Sequence, residues 1–279
     1  MRLITALGFA ALAAASPSML MERNAVDIEA VVRVEKRQTG TVAKEFTQGG
    51  CRDNIFIFSR GSAETGNMGA ICGPPTSDGL KQALGDAAVA TEGVDYGALL
   101  STNFLPGGAD PVGIQTMTDL INKAASQCPD SNILVGGYSQ GAAMVHRSVE
   151  SLSAPVQSRI AGIVTFGDTQ NVQDNGQING FDPAKTKVIC NDADAVCKGT
   201  LVVLPAHLDY TRRTPEAVDF LVAQVQNGKS AGTAGNAGNS TGSGVSNASG
   251  ASTAAAAAAS SGAASLRRNN GVRGLRLGK

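Results

Sequence analysis

Short, continuous apolar runs recur along the middle of the chain. NIFIFS at 54–59, ILVGG at 133–137, IAGIVTFG at 160–167 and KVICN at 187–191 do not alternate with polar residues. That is the pattern of strands covered on both faces. Between them lie TSDGLKQALGDAAV, GIQTMTDLINKAASQC and AAMVHRSVESL, and after them TPEAVDFLVAQVQNG, all with helical character. In the last, Thr214 reads as an N-cap, Pro215 takes the first helical position and Gly228 falls just past the end. Strand alternating with helix predicts an α/β fold with a mostly parallel sheet.

The two ends of the chain break this pattern. Met1-Arg2 followed by LITALGFAALAAA has the basic start and the apolar length of a secretory signal, with Ala13-Ala14-Ala15 as an A-x-A cleavage site. Residues 1–15 are therefore expected to be a signal peptide. Residues 16–37 then read as a pro-segment ending in the dibasic pair Lys36-Arg37. Beyond Asn227 the composition shifts to Gly, Ser, Ala and Asn, with no aromatic residue and no acid. Such a segment buries too little to offset its ordering entropy, so 229–279 is expected to be a disordered tail with a basic end. The glycosylation candidates Asn239 and Asn247 both fall in it. No stretch reaches the roughly 18 apolar residues of a spanning helix, so the expected location is extracellular, with no transmembrane segment.

Removing both ends leaves 38–228 as one domain. The formal charge of +0 hides a division, because that domain carries 12 basic and 19 acidic residues. An acidic body argues against nucleic acid as a partner. Four of the five cysteines divide into pairs in an oxidising compartment; their connectivity stays open at this point, and Cys72 is left over as a free or an intermolecular thiol.

The chemistry enters with Gly137-Tyr138-Ser139-Gln140-Gly141. This G-x-S-x-G pattern matches again at Gly238-Asn239-Ser240-Thr241-Gly242. A nucleophile elbow needs a strand before the serine and a helix after it. Ser139 has both; Ser240 lies among low-complexity glycines and has neither. A serine hydroxyl also needs a base, and the chain offers two histidines. His146 follows Ser139 on the same helix, about 10 Å further along the axis, and reads as a helix-surface residue. His207, after the strand-like run LVVLP, is the base by elimination. The acid between Ser139 and His207 is one of Glu150, Asp168, Asp174, Asp182, Asp192 and Asp194, most of which read as solvated. The loop CNDADAVC stands out because a disulfide across it would hold a carboxylate rigidly, but this reasoning does not separate Asp192 from Asp194.

CPDSNILVGGYSQGAA, CNDADAVCKGTLVVLPAH and RGSAETGNMG, specific in combination where the pentapeptide alone is not, together resemble the fungal cutinase family of secreted serine esterases over residues 45–226. The resemblance implies a three-layer α/β-hydrolase sandwich with helices on both faces of the sheet. It implies a triad of Ser139, Asp194 and His207, and an oxyanion hole from Ser62 and Gln140 with Asn103 steadying Ser62. It implies the disulfides Cys51–Cys128 and Cys190–Cys197, and an apolar substrate rim at Val196, Leu201, Val203 and Leu208. The activity it implies is hydrolysis of cutin or similar polyester and lipid esters by a monomer, with no metal and no organic cofactor. An acetylxylan-type carbohydrate esterase on the same fold is the alternative, and a non-catalytic wall-associated protein the more distant one.

Overall fold

The computed structural model describes residues 38–236. Five strands form one parallel sheet: β1 (Asn54–Ser59), β2 (Val89–Gly93), β3 (Asn132–Tyr138), β4 (Ile160–Phe166) and β5 (Thr186–Ile189), in the order β2-β1-β3-β4-β5. The helices are α1 (Glu45–Gly49), α2 (Gly73–Leu84), α3 (Pro111–Gln127), α4 (Gln140–Ser151), α5 (Ala154–Ser158) and α6 (Thr214–Asn236).

Strand β1 shows why its sequence is continuously apolar. Ile55 and Ile57 point to one face and pack in a cluster with Met117 and Ile121 of α3 and Val145 and Val149 of α4. Phe56 and Phe58 point to the other, with Leu80 of α2 and Val218 and Leu221 of α6. Both faces are covered, so every position of the strand is buried. Each such side chain contributes roughly 1.5–3 kcal/mol relative to exposure. The expected three-layer arrangement is therefore present.

The order of strands sets the position of the site. From β1 the chain goes outward to β2, then returns across β1 to start β3 on its other side. Loops leaving the C-terminal ends of β1 and β3 part there, which opens a crevice at the point where the winding reverses. At the opposite end of the sheet the chain is tied down. Cys51, just before β1, is bonded to Cys128, just after α3. The Arg159 guanidinium donates to the carbonyl oxygens of Ala125 (3.3 Å), Cys128 (3.1 Å) and Ser131 (3.0 Å), fixing the starts of β3 and β4.

Four local expectations differ from what the chain does. Strand β2, VATEG, lay hidden at the end of a predicted helix, which instead stops at Leu84. Its polar groups find partners far along the chain: Glu92 accepts from the Thr47 backbone N–H (3.0 Å) and hydroxyl (2.8 Å), and the Thr91 N–H donates to Glu45 (3.1 Å). Burial pushes the Glu92 carboxyl up, against the opposing hydrogen bonds from Thr47. Thr214 is not an N-cap but already helical, its hydroxyl turned back to the Thr211 carbonyl (2.8 Å). Helix α6 does not end at Gly228 but continues to Asn236. Leu201–Leu204 form no strand; all four side chains are exposed.

Cys72 is free and fully buried, and burial holds its thiol well above the usual range. It is a packing residue of the α2 face and not an intermolecular link. Among the described residues no helix is long and apolar enough to cross a membrane. The expected signal peptide, the pro-segment and the glycosylation candidates Asn239 and Asn247 lie outside the described residues.

Candidate active site

Ser139 sits at the turn from β3 into α4 with φ +56° and ψ −119°, a conformation that L residues rarely adopt. The flanking glycines make the turn feasible. A Cβ on Gly141 would stand 2.1 Å from the Ser59 carbonyl oxygen, and one on Gly137 would stand 2.3 Å from that of Gly141. The chain can double back this tightly only where both side chains are absent, and the doubling back lifts the Ser139 hydroxyl clear of the sheet.

His207 lies on the short 3₁₀ turn Pro205–Leu208 and brings Nε2 to 2.9 Å from Ser139 Oγ. Its Nδ1 is 2.8 Å from Asp194 Oδ2. A carboxylate oxygen only accepts, so Nδ1 must carry a proton, which leaves Nε2 of the neutral ring free to accept the serine proton. Asp194 is fully buried. Its Oδ2 also accepts from the Tyr210 hydroxyl (2.7 Å) and its Oδ1 from the Val196 N–H (2.9 Å). Asp192, two residues earlier, is exposed. The disulfide Cys190–Cys197 closes the loop that carries Asp194, as the family resemblance implied.

Two tyrosines that the sequence did not single out hold the histidine. Tyr138 stacks on the His207 ring with centroids 5.3 Å apart and donates its hydroxyl to the His207 carbonyl (2.7 Å). Tyr210 meets the ring edge-on, and its oxygen accepts from the Asn191 N–H (2.9 Å) while its proton goes to Asp194. Tyr138 could have been noticed as a large residue inside the elbow pentapeptide; nothing local marks Tyr210.

Ser62 follows β1 and faces Ser139 across the crevice. Its Oγ accepts from Asn103 Nδ2 (2.9 Å) and from the Gln140 side-chain Nε2 (3.1 Å). With both lone pairs engaged, the Ser62 hydroxyl proton is left to point into the site. The Gln140 backbone N–H belongs to the first turn of α4, where a helix has no internal acceptor for it. The structure thus brings Ser62, Gln140 and Asn103 together beside Ser139.

An apolar pocket of about 460 Å³ opens over these groups. Leu201, Val203 and Leu208 line its mouth at 43%, 52% and 56% exposure. Val196 also lines it but is 2% exposed, so it belongs to the wall and not to the rim. The opposite lip, missed in the sequence, is Leu100 and Phe104 from LLSTNFLP, the latter 77% exposed.

His146 is not on the surface. It is completely buried, with Nε2 2.9 Å from Asp168 Oδ2 and Nδ1 2.8 Å from Asp174 Oδ2. Neither aspartate is solvated as expected; Arg147 pairs with Asp174 and with Glu150. Both ring nitrogens face carboxylates, so both must donate and the ring is an imidazolium. Burial alone would lower the His146 pKa, but the hydrogen bond and charge of Asp168, joined by Asp174, carry it above its ordinary value of 6.5. Burial would likewise raise Asp168; His146, Thr165 and the Gln170 N–H hold it below its ordinary 3.8 instead. The raised histidine stabilises fully below its unfolded pKa and loses this as pH rises through the folded one. The depressed aspartate stabilises above its unfolded pKa and loses this as pH falls. The cluster therefore contributes most between about pH 4 and 6.5. His146→Gln should cost about 3 kcal/mol in that window, with the gap to wild type narrowing above it. Urea unfolding of both proteins from pH 4 to 10 checks this, and parallel curves would refute it.

A sequence profile of the family Cutinase matches residues 50–225. Among curated proteins the chain is 52% identical over 193 residues to Cutinase CUT2 of Pyricularia oryzae, covering 69% of this chain and 90% of that one. It is 44% identical over 185 residues to Probable cutinase 5 of Aspergillus terreus, covering 66% and 84%. Among solved structures it is similar to a Trichoderma reesei cutinase in complex with a phosphonate inhibitor, with 31% identity and a TM-score of 0.61 over 71% of this chain and 84% of that one. A cutinase-like protein from Cryptococcus shares the fold, with 19% identity and a TM-score of 0.54 over 63% and 96%.

Proposed function

The chain belongs to the cutinase family and is a carboxylic ester hydrolase of the serine esterase type, and from that premise we propose that Ser139, His207 and Asp194 are its catalytic triad. Ser139 Oγ attacks the ester carbonyl carbon while His207 Nε2 takes the serine proton, and Asp194 steadies the imidazolium that forms. The negative oxygen of the tetrahedral intermediate is met by the Ser62 hydroxyl and the Gln140 N–H, with Asn103 holding Ser62. Collapse expels the alcohol, which leaves with the proton from His207, and an acyl group remains on Ser139. Water then attacks the acyl carbon and gives its proton to His207; the bond from that carbon to Ser139 Oγ breaks, Oγ takes the proton back from His207, and the acid departs.

The observation that carries this reading is the relay Ser139–His207–Asp194, joined at 2.9 and 2.8 Å, opening into an apolar pocket. The family's substrates are polyesters, and the mouth formed by Leu100, Phe104, Leu201, Val203 and Leu208 suits an acyl chain or polyester segment of cutin better than an acetylated sugar. The apolar N-terminal run supports secretion with removal of 1–15, and Lys36-Arg37 supports release of 16–37, leaving a catalytic domain that starts at 38 and whose last helix carries past the expected boundary at 228 to Asn236, with the rest as its tail. The acidic body remains the argument against nucleic acid.

The test is hydrolysis of p-nitrophenyl esters from acetate to palmitate by the full chain, together with monomer release from cutin. Rates should peak at short to medium chains, at least about tenfold above palmitate. Activity confined to acetate would replace the polyester reading with the carbohydrate esterase, and no product from any ester would remove the proposed triad.

A further inference from the structure

The RGSAETGNMG stretch holds a carboxylate that the reaction above leaves unused. Glu64 lies two residues after Ser62 and turns its side chain back under the loop. Oε2 accepts from the Gly61 N–H (2.7 Å), and Oε1 accepts from the Ala70 (2.9 Å) and Ile71 (3.0 Å) N–H groups. One carboxylate thus receives three backbone donors, bonds that are shorter and stronger than their neutral counterparts.

The loop needs such a brace. Ala63 has φ +63° and Ala98, whose carbonyl accepts the Ala63 N–H at 2.8 Å, has φ +50°. Two non-glycine residues in the left-handed region do not hold a loop in place unaided. From outside, Arg60 donates to the Glu64 (2.8 Å) and Tyr96 (2.8 Å) carbonyls, and the Tyr96 hydroxyl returns a bond to the Arg60 carbonyl (2.6 Å). From inside, the Glu64 carboxylate grips the Gly61 N–H just before Ser62, and the Glu64 backbone N–H makes a longer bond to the Gly61 carbonyl (3.4 Å).

We propose that Glu64 is a positioning residue for oxyanion stabilisation: its carboxylate holds the Gly61 N–H, and with it the Arg60–Gly61 peptide just before Ser62, so that the Ser62 hydroxyl meets the developing oxyanion. The proposal rests on Ser62 having the role assigned above. An oxyanion donor acts through placement set before the reaction, and a shift of a fraction of an ångström costs most of its effect. Glutamine cannot replace the carboxylate, because its amide would turn an N–H group toward one of the three donors.

Glu64→Gln should lower kcat about tenfold to a hundredfold with KM within about twofold, since the contact is made in the transition state. The test is a double-mutant cycle with Ser62→Ala on p-nitrophenyl butyrate, each variant normalised by stoichiometric titration with a phosphonate ester. If Glu64 acts through Ser62, the double variant should lose at least about fivefold less than the product of the single losses. Glu64→Asp, which keeps the charge but cannot span the three donors, should fall in the same way and serves if the glutamine variant does not fold. Unchanged kcat in both Glu64 variants, or losses that multiply fully with Ser62→Ala, would overturn the proposal while Ser62→Ala alone still loses activity. If Ser62→Ala keeps full activity, the reading of Ser62 itself is what fails.

Discussion

Ser139→Ala should lose about five to six orders of magnitude in kcat, as removal of a triad nucleophile does elsewhere, while the protein stays folded. The stability half of this expectation comes from the backbone. Alanine has the same Cβ as serine, so it occupies the left-handed position at φ +56° no worse than serine does. The Ser139 N–H still reaches the Phe166 carbonyl at 2.9 Å. The hydroxyl removed makes its one described bond to His207. Steady-state hydrolysis of p-nitrophenyl butyrate beside a thermal melt measures both halves. Activity within tenfold of wild type would move the chemistry away from Ser139.

The second large effect should come from Asp194→Asn, about four orders of magnitude in kcat with little change in KM. Asp194 accepts from His207, Tyr210 and the Val196 N–H. An asparagine that keeps its oxygen on Val196 turns its amide N–H toward His207 Nδ1. The imidazole then places its proton on Nε2, facing Ser139, where it can no longer accept. Asp192→Asn, at an exposed position, should stay within about twofold, the range of a solvated carboxylate far from the reaction. Kinetics of the two variants side by side separate the acids; a comparable loss in both would show that the loop, and not one carboxylate, is what matters.

That pair of acids marks how far the residues could be read one at a time. Strand β1 was legible because burial on both faces makes its four central residues, Ile55 to Phe58, all apolar. Strand β2 was not, because Thr91 and Glu92 are satisfied by Glu45 and Thr47, which lie 46 and 45 residues earlier in the chain. His146 was misread for the same reason, since Asp168 and Asp174 lie 22 and 28 positions later. The elbow announced itself, because a strand, a tight turn and a helix are local events. Choosing Asp194 over Asp192 needed the family resemblance, since which carboxylate turns inward depends on Tyr210 and the Val196 N–H. The lip at Leu100 and Phe104 was invisible because exposed apolar residues in a loop look like any others until the pocket beside them is known.

The two ends of the sheet divide labour in a way that bears on how such an enzyme can change. The bridge Cys51–Cys128 and the three carbonyls held by Arg159 secure the starts of the strands, while Leu100, Phe104 and the Leu201–Leu204 segment hang from the far ends with their side chains in solvent. Substitutions at the lips carry a smaller folding penalty than those in the core, since all these side chains are partly in solvent, Phe104 most of all. New appetites can thus be tried at the mouth one residue at a time, with the foundation left undisturbed and the reacting groups already in place.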